Sequence, residues 1–343
     1  MKIAQIAPLY YRVPPKKYGG TERVVHYLTE ELVKRGHDVT LFASGDSETN
    51  AKLVPIVPKE LREQPPISHV NQTILEVAKV YSKAENFDII HNNAYPDYLV
   101  LPAAAGSSTP TITTVHLPVQ EDVKRIFQNY KNLPFVSISK HMRKSLPDLN
   151  YVATIYHGIP TKTFPFRKTV GDFLLFVGRI SAQKGPHTAI EVAERLSMKL
   201  VIAAKLDPTD SLDYFNEKIK PKLKNKNIIW LGEVDEKERN ALMSKALCLL
   251  NPINWEEPFG LVMVEAMATG CPVVVFNHGS AGELVINGKT GFIVNDVNEM
   301  VEAVKKVNTI SPTACRNHVE TNFSLEKMVT EYEKLFQKIA NTT

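Results

Sequence analysis

Two glutamates set eight positions apart are the residues of this chain best suited to hold a polar ligand. Glu257 follows an apolar strand predicted over 247–252, and Pro258 suits the first turn of a helix. Glu265 then falls about two turns into a helix that is apolar on every face, which is typical of a buried helix. A buried carboxylate needs a partner. We therefore expect Glu265 either to bind hydroxyl groups of a ligand in a cleft or to form a structural ion pair or cap.

Two cations fall at a second strand-to-helix junction. Arg179 follows the apolar strand 173–177, and Lys184 precedes a helix with Pro186 in its first turn. Arg and Lys beside a helix N-terminus are suited to a phosphate or pyrophosphate. A single Arg at a strand end would be unremarkable, so it is the spacing of both cations that favours an anion site.

The first half of the chain has a comparable loop. Gly19-Gly20 stands between a strand and a helix, and glycines there let backbone amides approach an anion, with Thr21 as the expected N-cap. A Gly-Gly pair also fits an ordinary turn. Neither the G-x-G-x-x-G fingerprint nor a P-loop is present. His116 ends the strand predicted over 111–116, where it serves either as a substrate contact or as a structural histidine.

Length and composition limit the class of protein. A chain of 343 residues with 43% apolar residues predicts two domains with sizeable cores. It contains no apolar run of membrane-spanning length, and its first residues do not resemble a signal peptide. The three cysteines form neither a metal pattern nor a disulfide framework, so we expect a reducing cytoplasm.

The net charge of +4 comes from the first half of the chain. Basic residues cluster at 12–17, 124–125 and 140–144. These clusters suit an anionic partner such as the inner membrane surface, and an ordinary solvated surface explains them equally well. The excess is too small and diffuse for a nucleic-acid-binding protein.

Strands and helices alternate through both halves. Predicted strands of the first half cover 3–8, 39–43, 88–91, 111–116, 135–138 and 153–156, with a helix over 21–35; those of the second half cover 173–177, 200–203, 228–231, 246–250 and 273–276, with a helix ending at 196. Apolar strands without alternation predict parallel sheets covered on both faces. A linker is expected near 157–168 and a last helix over 324–340. Ligands of such sheets bind beyond the carboxyl ends of the strands, so a cleft between the two domains is the expected site.

Four motifs in order resemble glycosyltransferase family 4: Phe-Val-Gly-Arg at 176–179 with Lys-Gly at 184–185, Glu-Pro-Phe-Gly-Leu at 257–261 with Glu-Ala-Met at 265–267, Gly-Cys-Pro-Val-Val at 270–274, and Gly-Lys-Thr-Gly-Phe at 288–292. The resemblance covers nearly the whole chain. It implies an α/β protein of GT-B fold, with two doubly wound, Rossmann-like domains facing a central cleft. The first domain would span 1–163 together with a C-terminal helix of about 325–343 that crosses back to it, and the second would span 164–324.

The resemblance also implies a retaining glycosyltransferase that uses a nucleoside-diphosphate sugar. Arg179 and Lys184 would hold the donor diphosphate and assist its departure. Glu265 would bind the ribose hydroxyls, and Glu257 the donor sugar.

Backbone groups and the first domain complete the implied site. The amides of Phe259, Gly260 and Leu261 would hold the donor sugar and phosphate. Gly20, beside Gly19, would approach the phosphate from the first domain. His116 matches the family's histidine beside the reacting sugar carbon.

Two departures from the family pattern affect contacts in this site. The family often has Asn-Gly-Val-Asp at the interdomain junction, where this chain has His-Gly-Ile-Pro at 157–160. The family's Gly-Gly before a later acidic residue is here Gly-Ser-Ala-Gly-Glu at 279–283, near the expected contacts that select the sugar.

No Asp-x-Asp motif is present, so we expect no metal site, no cofactor and metal-independent activity. No pair of carboxylates suggests a glycosidase dyad. The expected partners are a nucleotide-sugar donor and a sugar, lipid-linked or small-molecule acceptor. The nucleotide, the sugar and the acceptor stay open. Another GT-B enzyme, such as an epimerase or phosphorylase, and a non-catalytic sugar-binding protein are alternatives, whereas the missing glycine fingerprint disfavours an NAD-dependent dehydrogenase.

Overall fold

The computed structural model describes residues 1–64, 68–207 and 211–342, so the last position of the predicted C-terminal helix, 343, lies outside the described residues. The chain divides into two compact units. Unit 1 comprises Met1–Gly158 and Leu325–Thr343, and unit 2 comprises Ile159–Ser324. The division after Gly158 falls five residues before the limit of 163 expected from the sequence.

Unit 1 is a parallel sheet with helices. Its strands are β1 (Lys2–Ile6), β2 (Asp38–Ala43), β3 (Lys52–Pro55), β4 (Ile89–Asn92), β5 (Thr111–Val115), β6 (Phe135–Ser137) and β7 (Tyr151–Thr154). Its helices are α1 (Gly20–Lys34), α2 (His69–Tyr81), α3 (Leu101–Gly106), α4 (Lys124–Asn129) and, from the end of the chain, α12 (Leu325–Ala340). The strand order is β3-β2-β1-β4-β5-β6-β7.

Helix α1 shows how the sequence positions the loop before it. Val24, Val25, Leu28 and Leu32 recur at helical spacing and are all buried. The prediction of Thr21 as the N-cap is wrong, because the helix starts at Gly20 and Gly19 is the cap residue. Gly19 has φ 144°, and a Cβ there would lie 2.7 Å from the Pro15 Cβ, so the turn into α1 requires glycine.

The C-terminal helix α12 belongs to unit 1, as predicted. Its Tyr332 and Phe336 rings lie 4.9 Å and 5.3 Å from the buried His91 ring on β4. The Tyr332 hydroxyl hydrogen-bonds the Thr114 hydroxyl at 3.0 Å. The spacing of these residues at i and i+4 places both aromatic rings on one helix face.

Within the residues that the structure describes, unit 2 has the same architecture, with six strands. They are β8 (Phe173–Arg179), β9 (Lys199–Lys205), β10 (Ile228–Gly232), β11 (Cys248–Asn251), β12 (Val273–Phe276) and β13 (Gly291–Val294). The order is β10-β9-β8-β11-β12-β13. Its helices are α5 (Pro186–Leu196), α6 (Leu212–Tyr214), α7 (Glu236–Lys245), α8 (Leu261–Ala268), α9 (Ala281–Leu284), α10 (Val297–Lys306) and α11 (Pro312–Asn322).

Both sheets confirm the predicted doubly wound α/β class. All paired strands are parallel, and the order reverses between β1 and β4 in unit 1 and between β8 and β11 in unit 2. Sequence reasoning missed β3 and β13, which are short strands at sheet edges. A four-residue edge strand buries few side chains, so its apolar signal is weak. Across the described residues, we find no helix that is both long and apolar enough to cross a membrane.

Candidate active site

The switch point of the unit 2 sheet gathers most of the residues singled out in the sequence. Arg179 is the last residue of β8 and is half-buried. Lys184 follows in the loop that leads to α5. Glu257 lies in the loop that leaves β11, the strand paired with β8. Ligands of parallel α/β sheets bind at this place, beyond the carboxyl ends of the strands where the order reverses.

Lys184 and Glu257 form an ion pair. The Lys184 ammonium donates to Glu257 Oε2, and the two side chains are only 16% and 13% exposed. Trp255 Nε1 donates to the same oxygen at 2.8 Å, and the Lys184 ammonium lies 5.1 Å from the Trp255 ring centre. The structure thus brings together one cation and one carboxylate that the sequence had placed 73 residues apart.

The loop that carries Lys184 is held against the loop after β11. Gly185 has φ 72°, and a Cβ there would lie 2.2 Å from the Pro252 carbonyl oxygen. The Asn254 amide donates to the Gln183 carbonyl at 2.7 Å. Only glycine allows this approach, so Gly185 fixes the distance between the two loops.

A second loop supports the backbone of Glu257. Gly279 has φ 59°, and a Cβ there would lie 2.3 Å from both the amide nitrogen and the carbonyl oxygen of Glu257. The Ser280 amide donates to the Glu257 carbonyl at 3.0 Å, and the Ser280 hydroxyl donates to the Phe259 carbonyl at 2.5 Å. The segment at 279–283, which departs from the family pattern, therefore packs directly behind the candidate site.

Helix α8 begins later than the sequence predicted. Its first residue is Leu261, and the cap residue Gly260 has φ 87°. Pro258 lies outside the helix, so Glu265 is its fifth residue, just over one turn from the start, and not about two turns in as expected. The first amides of a helix have no acceptor within the helix, so the first turn of α8, which starts at Leu261, places partial positive charge beside this loop.

Glu265 is buried, as predicted, and has a protein partner. It is 4% exposed, and its Oε1 accepts from Arg239 Nη2 at 3.0 Å. Arg239 comes from α7, which packs beside α8. Of the two alternatives left open by the sequence, the ion pair is present, and it leaves Glu265 Oε2 outside this contact.

In unit 1, His116 follows β5 and belongs to a chain of hydrogen bonds. Asn93 Nδ2 donates to Gln5 Oε1 at 3.2 Å, so Asn93 Oδ1 accepts from His116 Nε2, 2.9 Å away. This arrangement leaves the proton on Nε2 and a lone pair on Nδ1, which is buried and has no hydrogen-bond partner among residues 1–64, 68–207 and 211–342. Burial lowers the pKa of His116 to about 3, so the ring is neutral.

His157, at the position where the family often has Asn, stacks on His116. The ring centres are 5.4 Å apart at an interplanar angle of 21°. Burial and then the neighbouring His116 lower the pKa of His157 well below its ordinary value. The two stacked rings are therefore both neutral, because a proton on either ring would be poorly solvated and close to the other.

The Gly19-Gly20 loop has a carboxyl group beside it. Glu22 is 5% exposed in the first turn of α1, and burial raises its pKa to about 7. A carboxyl that is partly protonated near neutral pH repels an anion less than a carboxylate does. The described residues contain no group of three or more His, Cys, Asp or Glu arranged to hold a metal ion.

Sequence reasoning missed Trp255, Arg239, His157 and Glu22 as parts of these sites. Trp255 lies two residues before the Glu257 motif, and His157 is the first residue of the His-Gly-Ile-Pro segment at 157–160, so position beside a motif and residue type were the signals that could have found them. Arg239 lies in a polar helix 26 residues from its partner, and nothing in its local sequence indicates the pairing.

Two family models together match the chain from residue 18 to 318. The model described as Glycosyltransferase Family 4 matches residues 18–163, and the model described as Glycosyl transferases group 1 matches residues 162–318. The chain belongs to glycosyltransferase family 4. This family 4 glycosyltransferase is 26% identical over 365 residues to a glycogen synthase of Mycobacterium tuberculosis, an alignment covering 90% of this chain and 86% of the relative.

Solved structures share the GT-B fold of this glycosyltransferase. Sucrose-phosphate synthase from Thermosynechococcus elongatus superposes with a TM-score of 0.83 at 19% identity, covering 100% of both chains. The Anabaena protein HepE in complex with UDP-glucose superposes with a TM-score of 0.77 at 17% identity, covering 98% of this chain and 100% of that chain. The likeness confirms the predicted fold, including two Rossmann-like domains.

Proposed function

We propose that this glycosyltransferase is a retaining enzyme that moves a sugar from a nucleoside-diphosphate sugar to an acceptor hydroxyl. The observation that carries the proposal is the Lys184–Glu257 pair at the unit 2 switch point, beside the N-termini of α5 and α8. One site thus offers a cation for phosphate and a carboxylate for sugar hydroxyls. The UDP-glucose bound to HepE supports a donor of this class.

Each donor group has a matching protein group. Arg179 and Lys184 hold the diphosphate, together with the amides at the start of α8. Glu257 accepts hydrogen bonds from the sugar hydroxyls, and Glu265 accepts from the ribose hydroxyls. Trp255, which hydrogen-bonds Glu257 and lies against Lys184, keeps both side chains in place.

The bond changes need no nucleophilic residue of the protein. The bond from the anomeric carbon to the phosphate oxygen breaks, and the acceptor oxygen bonds the same carbon on the same face. The acceptor's proton passes to the departing phosphate. Arg179 and Lys184 stabilise the negative charge that develops there.

The family resemblance assigns His116 to the reacting sugar and Gly20, after Gly19, to the donor phosphate. The neutral state of His116 fits this role, because a lone pair on Nδ1 accepts a sugar O–H whereas an imidazolium would repel developing positive charge at the anomeric carbon. Asn93 fixes the tautomer.

The acceptor is a hydroxyl of a sugar, a lipid-linked molecule or a small molecule, and we propose a peripheral contact with an anionic inner membrane surface. The basic runs of unit 1 support this, as do Val70, Ile74 and Leu75 on α2, which are 40%, 51% and 58% exposed.

We expect the protein to co-sediment with phosphatidylglycerol vesicles but not with phosphatidylcholine vesicles. The double variant Ile74→Ser with Leu75→Ser should co-sediment less with the phosphatidylglycerol vesicles. Equal absence from both vesicle types would contradict it. The three cysteines are free and buried, which suits a cytoplasmic location.

Turnover of two variants tests the catalytic proposal. A thermal-shift screen of UDP, ADP, GDP and their sugars first identifies the donor, because a ligand bound to the native state raises its stability. Arg179→Ala and Lys184→Ala should each lower turnover with that donor by about 10²-fold or more. Near-normal turnover of both variants at saturating donor would place the diphosphate site elsewhere.

A further inference from the structure

Arg239 is the protein partner of Glu265, and the ion pair is almost entirely buried. The guanidinium Nη2 and the carboxylate Oε1 are 3.0 Å apart, and the two side chains are 12% and 5% exposed. Removing one partner of such a pair leaves the other charge buried and uncompensated. The position of the Glu265 carboxylate therefore depends on Arg239.

Arg239 also carries a polar group without a protein partner. Its Nε is buried and has no hydrogen-bond acceptor anywhere in the described ranges 1–64, 68–207 and 211–342. A guanidinium that engages a carboxylate through two nitrogens would satisfy both, but here only Nη2 reaches Glu265. A buried N–H left unpaired is costly, so this donor calls for an acceptor that the protein does not supply.

We propose that Arg239 is a positioning and nucleotide-binding residue that makes the donor site selective for ribonucleotides. It holds Glu265 through Oε1, so that Oε2 is directed to the ribose hydroxyls, and its own Nε–H donates to an oxygen of the same nucleoside. The inference rests on the proposed role of Glu265 at the ribose.

The chemistry predicts which ligands the pair distinguishes. An ionised carboxylate only accepts hydrogen bonds, so it requires O–H donors, and a 2′-deoxyribose offers one fewer. A site built to bond a hydroxyl rejects the analogue that lacks it, because its own buried polar group is then left unpaired. Without Arg239, Glu265 is no longer held in the accepting position, and the discrimination should disappear.

Calorimetric titration with a matched pair of ligands tests the proposal. The probes are UDP, ADP or GDP, whichever binds most tightly, and its 2′-deoxy counterpart. The wild type should bind the ribonucleotide about tenfold or more tightly than the deoxyribonucleotide. Arg239→Met should weaken ribonucleotide binding about tenfold and bring the two affinities to within about threefold. Arg239→Lys, which keeps the charge but lacks the Nε donor, should weaken binding while retaining part of the discrimination.

Control variants separate the outcomes. Arg195→Met makes the same change at an exposed unit 2 arginine, 44% exposed beside Glu191, and should change neither affinity. If Arg239→Met fails to fold, the double variant with Glu265→Gln removes both charges of the buried pair. Arg239→Lys then still reports the ratio of ribonucleotide to deoxyribonucleotide affinity.

Glu265→Gln separates the role of Arg239 from the proposed role of Glu265 at the ribose. If it lowers both affinity and discrimination while Arg239→Met and Arg239→Lys change neither, the role of Arg239 is refuted and the proposed function stands. If Glu265→Gln itself changes neither quantity, the ribose role of Glu265 fails, and the inference about Arg239 fails with it.

Discussion

Glu257→Gln should tighten the binding of a bare nucleoside diphosphate and lower the affinity for a nucleotide sugar relative to it. In the structure the Glu257 carboxylate holds the Lys184 ammonium, so a diphosphate that binds Lys184 must share or replace that carboxylate. The glutamine amide keeps an acceptor oxygen for Trp255 but has no charge to hold Lys184. The variant therefore releases Lys184 for phosphate and weakens the contact with the sugar.

The burial of the pair sets the size of both effects. Exposed ion pairs contribute about 0–1 kcal/mol, and breaking a fully buried one costs about 3–5 kcal/mol. With side chains 16% and 13% exposed, this pair lies between those limits. Releasing Lys184 by about 1.4 kcal/mol corresponds to about tenfold tighter binding of the bare diphosphate. Losing charged hydrogen bonds to the sugar, about 1.5–3 kcal/mol each, should lower the ratio of donor to diphosphate affinity by about 10- to 100-fold.

Calorimetric titration of both ligands, together with release of nucleoside diphosphate during turnover, measures these effects. Because sugar contacts hold the reacting carbon in place, kcat should also fall. The control is Glu256→Gln, the same change one residue away on a side chain that is 57% exposed, and it should leave both affinities near wild type. If Glu257→Gln weakened the bare diphosphate as much as the donor, Glu257 would not compete with phosphate for Lys184, and this account of the pair would be refuted.

Three further predictions concern metal, backbone and pH. Activity should survive EDTA because Arg179 and Lys184 neutralise the diphosphate, whereas complete loss restored by Mg²⁺ or Mn²⁺ would contradict this. Gly185→Ala would place a Cβ 2.2 Å from the Pro252 carbonyl oxygen, whereas Gly232, with a similar φ of 77°, has open space where a Cβ would lie. Gly185→Ala should therefore lower the free energy of unfolding by about 2 kcal/mol more than Gly232→Ala. Equal losses would count against the close approach of Gly185 to Pro252. Burial lowers the pKa of His91 to about 3, so its contribution to stability is full above about pH 6.5 and is lost as the pH falls toward 3. Over that range the free energy of unfolding in urea should fall by up to about 1.4 kcal/mol per pH unit more for the wild type than for His91→Gln. Parallel pH profiles of the two proteins would refute this.

The sequence predicted the strands and helices that contain many buried apolar residues, and the structure confirms that the strands form parallel sheets. It was less informative where few side chains are buried, as at the edge strands β3 and β13, and at helix starts. Gly260 and Gly19 set the first residues of α8 and α1 through positive φ, a backbone property that the hydrophobic pattern does not record.

In the candidate site too, the local sequence predicts some features and not others. Lys184, Glu257 and Glu265 could be chosen from residue type and neighbouring elements. Which charge each one meets could not, because Lys184 finds Glu257 across two loops joined at Gly185, and Arg239 reaches Glu265 from another helix. Such pairings depend on tertiary packing, for which a single sequence carries no local signal.

Retaining transfer to an acceptor is measured most directly by proton NMR of the enzyme incubated with the nucleotide sugar that most raises its melting temperature, in the presence and absence of a panel of hydroxyl acceptors. We expect an acceptor to accelerate release of the nucleoside diphosphate, and the new glycosidic bond to have the anomeric configuration of the donor. Lys184→Met should abolish the acceptor-dependent release while leaving a folded protein. Release of nucleoside diphosphate that no acceptor accelerates, or a product of inverted configuration, would contradict it.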